Sequence, residues 1–152
     1  MRVRAGVPGA FLFLAMALAC GGGGEEAEHE EDEPEEAAVA GGPVQPGPGG
    51  KIITVEMITD EKGNNVFRPA EFEAHKGDVI RYTLVVGVHN VSFPADSNAG
   101  VAGLPEPAPM LQAPGQTFDV LVTWDPGRYT FQCDPHALLG MIGHVKVEDD
   151  DD

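Results

Sequence analysis

The stretch Tyr129-Thr130-Phe131-Gln132-Cys133-Asp134-Pro135-His136-Ala137-Leu138-Leu139-Gly140-Met141 reads as a strand that runs into a loop of metal-binding side chains. Tyr129, Phe131 and Cys133 alternate with Thr130 and Gln132, the period of two that gives a strand one buried face. Cys133 thereby takes the buried parity of two aromatics. Pro135 ends the ladder and Gly140 permits a tight turn, after which residues 143–147 alternate again with Val145 and Val147 on one face. A loop between two strands places its thiol, imidazole and thioether at one end of a stiff scaffold.

A second imidazole, His89, lies far upstream beside Asn90. It follows the run 78–86, in which Ile80, Tyr82, Leu84 and Val86 share a face, so it can reach the same end of the scaffold from another strand. His89, Cys133, His136 and Met141 make a His₂Cys set with a weak thioether, which suits a mononuclear electron-transfer copper. Thiolate and thioether are soft donors that hold Cu(I), and imidazole holds both oxidation states. Structural zinc is the rival metal, but it usually draws four ligands from Cys, His and carboxylate, and a second thiolate is missing here.

Strands are expected at 52–59, 71–75, 78–86, 91–93, 117–123, 128–133 and 143–147, with one helical turn somewhere in the Pro-rich connection 95–113. Asp125-Pro126-Gly127 marks a turn between two of them. About a hundred residues of short strands match an all-β sandwich.

Four segments resemble the cupredoxins, and most closely the plastocyanin type: 69–78, His89-Asn90-Val91, 113–118, and Cys133 through Met141 with Gly143 and Val145 beyond. The resemblance covers residues 51–148. It implies a Greek-key β-sandwich of seven to eight strands carrying one type 1 copper. It also implies that His89, Cys133 and His136 are the strong ligands and Met141 a long axial one. Asn90 would tie the upstream ligand to the Cys133 loop, with Pro135 supporting the same site. Three features depart from photosynthetic plastocyanins: Gln132 stands where they place a Tyr before the ligand Cys, the stretch 94–114 carries only Asp96 and Glu106 as acids, and Leu138 and Leu139 replace small residues common in that part of the loop. Their docking surfaces for a photosynthetic partner are therefore not expected here.

Residues 1–20 have the layout of a bacterial export signal: Arg2 and Arg4, an apolar run from Ala10 to Ala19, then Cys20. Ala17-Leu18-Ala19-Cys20 resembles a lipoprotein processing box, which would leave Cys20 lipidated; ordinary signal cleavage with a soluble product is the alternative. Residues 21–50 hold four consecutive glycines, nine acids between Glu25 and Glu36, and a Gly/Pro stretch, a composition that cannot bury a core. They are expected to form a disordered tether reaching roughly 30 Å. Acids fill 148–152 as well, so the acidic tail 149–152 and the tether carry most of the net charge of −16. The domain itself, 51–147, has eleven acids and seven bases. So acidic a chain is not expected to bind nucleic acid.

These features predict an exported, periplasmic or extracytoplasmic electron carrier, monomeric and lipid-anchored to a membrane, that meets a redox donor and acceptor transiently. An enzyme is disfavoured because the ligand set leaves the metal no open position and the domain shows no paired carboxylates. A copper chaperone or sequestration protein, or an accessory copper subunit of an envelope redox enzyme, is the alternative. A chaperone would be expected to display more exchangeable Met or His clusters. Leu138 and Leu139 follow His136 where a solvated loop would be polar, so they are expected to form an apolar docking patch or, alternatively, to fold inward over the metal.

Overall fold

A computed structural model describes residues 42–149. Seven strands form two sheets. The first sheet orders β2 (Asn65–Arg68), β1 (Ile52–Thr59), β4 (Val79–Val86) and β5 (Thr117–Leu121); the second orders β3 (Glu71–His75), β7 (Ile142–Glu148) and β6 (Gly127–Gln132). β1 pairs parallel with β4 and β3 parallel with β7, while the remaining pairs are antiparallel. The chain thus switches sheets repeatedly, as a Greek-key cupredoxin sandwich requires.

Alternation decides which face each strand buries. Val55 and Met57 of β1, Ile80, Tyr82 and Leu84 of β4, Tyr129 and Phe131 of β6, and Val145 and Val147 of β7 all point inward. Phe131 is the hub: its ring lies 4.9 Å from Phe67, 5.3 Å from Tyr82, 5.8 Å from Phe72 and 6.0 Å from Phe93, centroid to centroid. Such tilted and edge-on contacts add to area burial. Because Cys133 comes two residues after Phe131, the thiol is seated on this packed core and not on a mobile loop.

The predicted strands at 52–59 and 71–75 have the expected bounds, and those at 78–86, 117–123, 128–133 and 143–147 shift by one or two residues. Residues 91–93 do not form a strand. Ser92 makes one isolated bridge with Gln132 at the end of β6, and Val91, Ser92 and Phe93 are all buried, so the segment has no exposed face. Strand β2 was not expected, because Asn65-Val66-Phe67-Arg68 sits between turn-forming residues and Pro69. The helical turn expected within 95–113 is reduced to a hydrogen-bonded turn in which the Asn98 N–H reaches the Pro94 carbonyl (3.2 Å). Helical geometry occurs instead as a 3-10 turn over Asp134–Leu139.

Part of the segment assigned to the tether is bound to the domain. Val44 N–H donates to Asp119 Oδ2 (3.1 Å) and Gly47 N–H to the Gly77 carbonyl (2.8 Å). The acidic residues 25–36 lie outside the described residues.

Candidate metal centre

Two non-local pieces of chain build the site. Cys133 leaves β6, and the 3-10 turn that follows carries Pro135 in its first positions and closes at Gly140 in the left-handed region (φ 90°), where a residue with a Cβ would be strained. Within this loop the ligand residues are bonded to one another through the backbone. His136 N–H reaches the Cys133 carbonyl (3.0 Å), Met141 N–H the His136 carbonyl (3.1 Å) and Cys133 N–H the Met141 carbonyl (3.1 Å). His89 comes from the other piece, held beside Leu111 by two backbone bonds of 3.2 and 2.8 Å.

Three side-chain atoms converge. His89 Nδ1 and His136 Nδ1 are 3.2 Å apart, and Cys133 Sγ is 3.7 Å from the first and 3.3 Å from the second. The point equidistant from all three lies about 2 Å from each, which is the length of a bond from a first-row metal to imidazole nitrogen or thiolate, about 2.0–2.3 Å. The donor set therefore fits one small ion. His89 and Cys133 are fully buried, His136 is half-buried, and Met141 is buried beside them. The four residues are arranged as a copper site.

Comparison with known proteins agrees with this geometry. The family "Copper binding proteins, plastocyanin/azurin family" matches residues 54–148. The chain belongs to this family. It is 37% identical over 103 residues to the chloroplastic plastocyanin of Oryza sativa subsp. indica, a match that covers 65% of this chain and 66% of that protein. The oxidized plastocyanin of Dryopteris crassirhizoma superposes with a TM-score of 0.52 at 30% identity, over 63% of this chain and all of the fern protein. Pseudoazurin from Methylobacterium extorquens AM1 gives 0.51 at 28% identity, over 65% of this chain and 78% of the pseudoazurin. The protein is a plastocyanin-like blue copper protein, and its cofactor is one type 1 copper.

The electrostatics of the plastocyanin-like site follow from burial. Burial holds the His89 imidazole below its ordinary pKa, and His136 beside it adds to the drop, so the ring stays neutral with a lone pair to offer. Burial pushes the Cys133 thiol up, against backbone N–H groups of Asn90 and His136 that pull it down, and the Asp134 carboxylate adds to the rise. Without a cation the site therefore favours the thiol; a bound metal, acting as a local positive charge, inverts that preference.

Asn90 clamps the two pieces of the site together. Its Oδ1 accepts the Asp134 N–H (2.9 Å) and its Nδ2 donates to Asp134 Oδ2 (2.8 Å). The same carboxylate accepts from Ser92 Oγ (2.5 Å) and Gln132 Nε2 (3.1 Å). Sequence reasoning reached Asn90 and Pro135 but missed Asp134 and Ser92. Their signal was available: Asp134 adjoins the ligand Cys, and Ser92 has the same parity as Asn90. Asn98, also missed, caps the open edge of β6 by accepting the Thr130 N–H (2.8 Å) and donating to the Thr130 carbonyl (2.9 Å). Leu138 and Leu139 both point to solvent, 101% and 72% exposed, so neither folds over the metal. Cys20 lies outside the described residues.

Proposed function

We propose that this blue copper protein is a one-electron carrier of the cell envelope, with His89, Cys133 and His136 as the strong ligands and Met141 as the weak axial one. Copper held by these residues would take one electron from a donor protein, becoming Cu(I), and return to Cu(II) on passing it to an acceptor. The chain supplies a site that need not rearrange: each loop ligand is locked by backbone bonds, Pro135 opens the 3-10 turn, and Asn90, next to His89, holds the loop through Asp134. The observation that carries the reading is the unequal exposure of the ligands, because His136 alone of the three reaches the surface. Electrons would pass through its ring edge.

Exposed apolar residues adjoin the ligand segments in the chain. Leu138 and Leu139 follow His136 directly, exposed Val88 (46%) precedes His89, and exposed Met110 (39%) precedes the Leu111 that bridges His89. A small apolar patch suits a transient encounter with a donor or acceptor protein. Gln132 is engaged with Asp134 and does not offer the remote aromatic route of photosynthetic plastocyanins. The buried ligands argue against a chaperone, which must hand its metal over.

The 44–50 segment joins the domain at Gly77 and Lys51, at the start of the parallel strands β1 and β4, whereas the ligands lie beyond their ends, about 25 Å away for eight residues of strand. A lipid on Cys20 would anchor the chain as a monomer exported to the periplasmic or extracytoplasmic space. Copper-loaded protein should show an intense visible thiolate-to-copper band that Cys133→Ser abolishes, and Leu138→Glu should slow electron exchange with little change in colour. A serine variant that stays blue would refute the ligand set. Membrane fractionation that is lost in Cys20→Ala would support the anchor, and a soluble wild type would remove it while leaving the copper reading intact.

A further inference from the structure

The ring nitrogen of His89 that faces away from the ligand triangle is not idle. Nε2 lies 3.1 Å from Thr59 Oγ1, and that oxygen lies 2.7 Å from Asn65 Oδ1. Proton counting fixes the direction of both contacts. A threonine hydroxyl has one proton, and the Asn65 carbonyl oxygen can only accept, so the proton goes to Asn65. Thr59 Oγ1 must then accept, and the atom that donates is His89 Nε2–H. The Val86 carbonyl, also an acceptor only, faces the same ring. The Thr59 contact therefore selects the tautomer whose Nδ1 carries a lone pair, and Nδ1 is the atom aimed at Cys133 and His136.

Two features of the fold make this possible. Thr59 and Asn65 are cross-strand partners at the last paired position of β1 and β2, so the register of that hairpin brings them together. Gly87 leaves the space: a Cβ there would stand 2.3 Å from Thr59 Oγ1 and 2.7 Å from His89 Nε2, and its φ of +105° disfavours any side chain. We propose that Thr59, oriented by Asn65 and housed by Gly87, is a positioning residue that fixes the metal-binding tautomer of His89 before copper arrives and strengthens that ring as a ligand for Cu(II). This rests on His89 being a ligand, as proposed above. A hydrogen bond at the outer nitrogen raises imidazole basicity, and loss of such a partner commonly costs 10- to 100-fold in metal affinity.

The test uses full-length protein in two states. In metal-free protein, ¹⁵N and ¹H spectra of the His89 ring should show the Nε2–H tautomer alone; an Nδ1–H form in wild type would reverse both hydrogen bonds and overturn the proposal. In copper-loaded protein, Thr59→Val should weaken Cu(II) about tenfold relative to Cu(I), a rise in potential of about 59 mV, and Thr59→Ser should restore the wild-type value. Asn65→Leu releases the Thr59 proton and should shift the potential in the same direction by less. A potential unchanged in both Thr59→Val and Asn65→Leu would overturn the role; if the valine variant does not fold, the leucine variant and the metal-free spectra decide it. Failure of the copper reading is separate, since wild type would then lack the visible band.

Discussion

Asn90 grips Asp134 at both ends, accepting its backbone N–H and donating to its carboxylate, and so closes the gap between the His89 segment and the Cys133 loop. Neither residue touches the metal triangle in the manner of a ligand, yet each adjoins one: Asn90 follows His89 and Asp134 follows Cys133. We expect Asn90→Ala to destabilise metal-free protein by about 2 kcal/mol, because it unpairs a backbone donor and takes one donor from a carboxylate. Urea unfolding of the metal-free form measures this. A cost below about 0.5 kcal/mol would show that water replaces the clamp.

The axial position is probed by potential. Met141→Gln should lower the reduction potential, because an oxygen donor favours Cu(II) over a thioether, and Met141→Leu should raise it. Both variants should retain the visible band. Voltammetry giving one potential for all three proteins would remove Met141 from the coordination sphere.

Copper uptake should release a proton from Cys133. Burial raises this thiol above its ordinary pKa in the metal-free protein, so at neutral pH the sulfur is protonated and the metal must displace that proton. Apparent affinity should therefore grow with pH, by about tenfold per unit between pH 6 and 8 beyond any histidine contribution. The sign for stability is opposite. A thiol raised in the folded state contributes stability that is complete below the unfolded pKa and fades as pH rises through the folded one, so metal-free protein should weaken above about pH 9. Calorimetry in buffers of different ionisation enthalpy counts the proton, and Cys133→Ser should abolish its release.

At the other end of the domain, Asp119 governs acid stability. Burial works against its ionisation, but the paired bonds from Arg81 (2.9 and 2.7 Å) and the Val44 N–H prevail and hold its carboxyl below the usual range. A lowered folded pKa contributes stability that is present above the unfolded value and is lost as pH falls through the folded one, below about pH 4. Arg81 keeps 28% of its side chain in water, which screens the pair, so Asp119→Asn should cost about 2 kcal/mol at pH 7. The difference between variant and wild type should shrink in acid. Melting curves from pH 7 to 3 that stay parallel would contradict this.

The ligand loop and the strands around it are legible in the amino-acid order, because both are local patterns. Alternation through Tyr129, Phe131 and Cys133 fixes which side chains face inward, and the chemistry of Cys133, His136 and Met141 on nine residues names the metal. What stands behind those ligands emerges from long-range folding. Thr59 and Asn65 meet because β2 pairs with β1 in one register, Asp134 and Ser92 meet because Ser92 bridges Gln132 at the end of β6, and Val44 meets Asp119 because the segment before β1 returns to β5. Each pairing joins polar groups, side chain or backbone, with no periodicity of their own, and the entropy of bringing them together is met by burial of the surrounding core, not by any local preference a sequence displays.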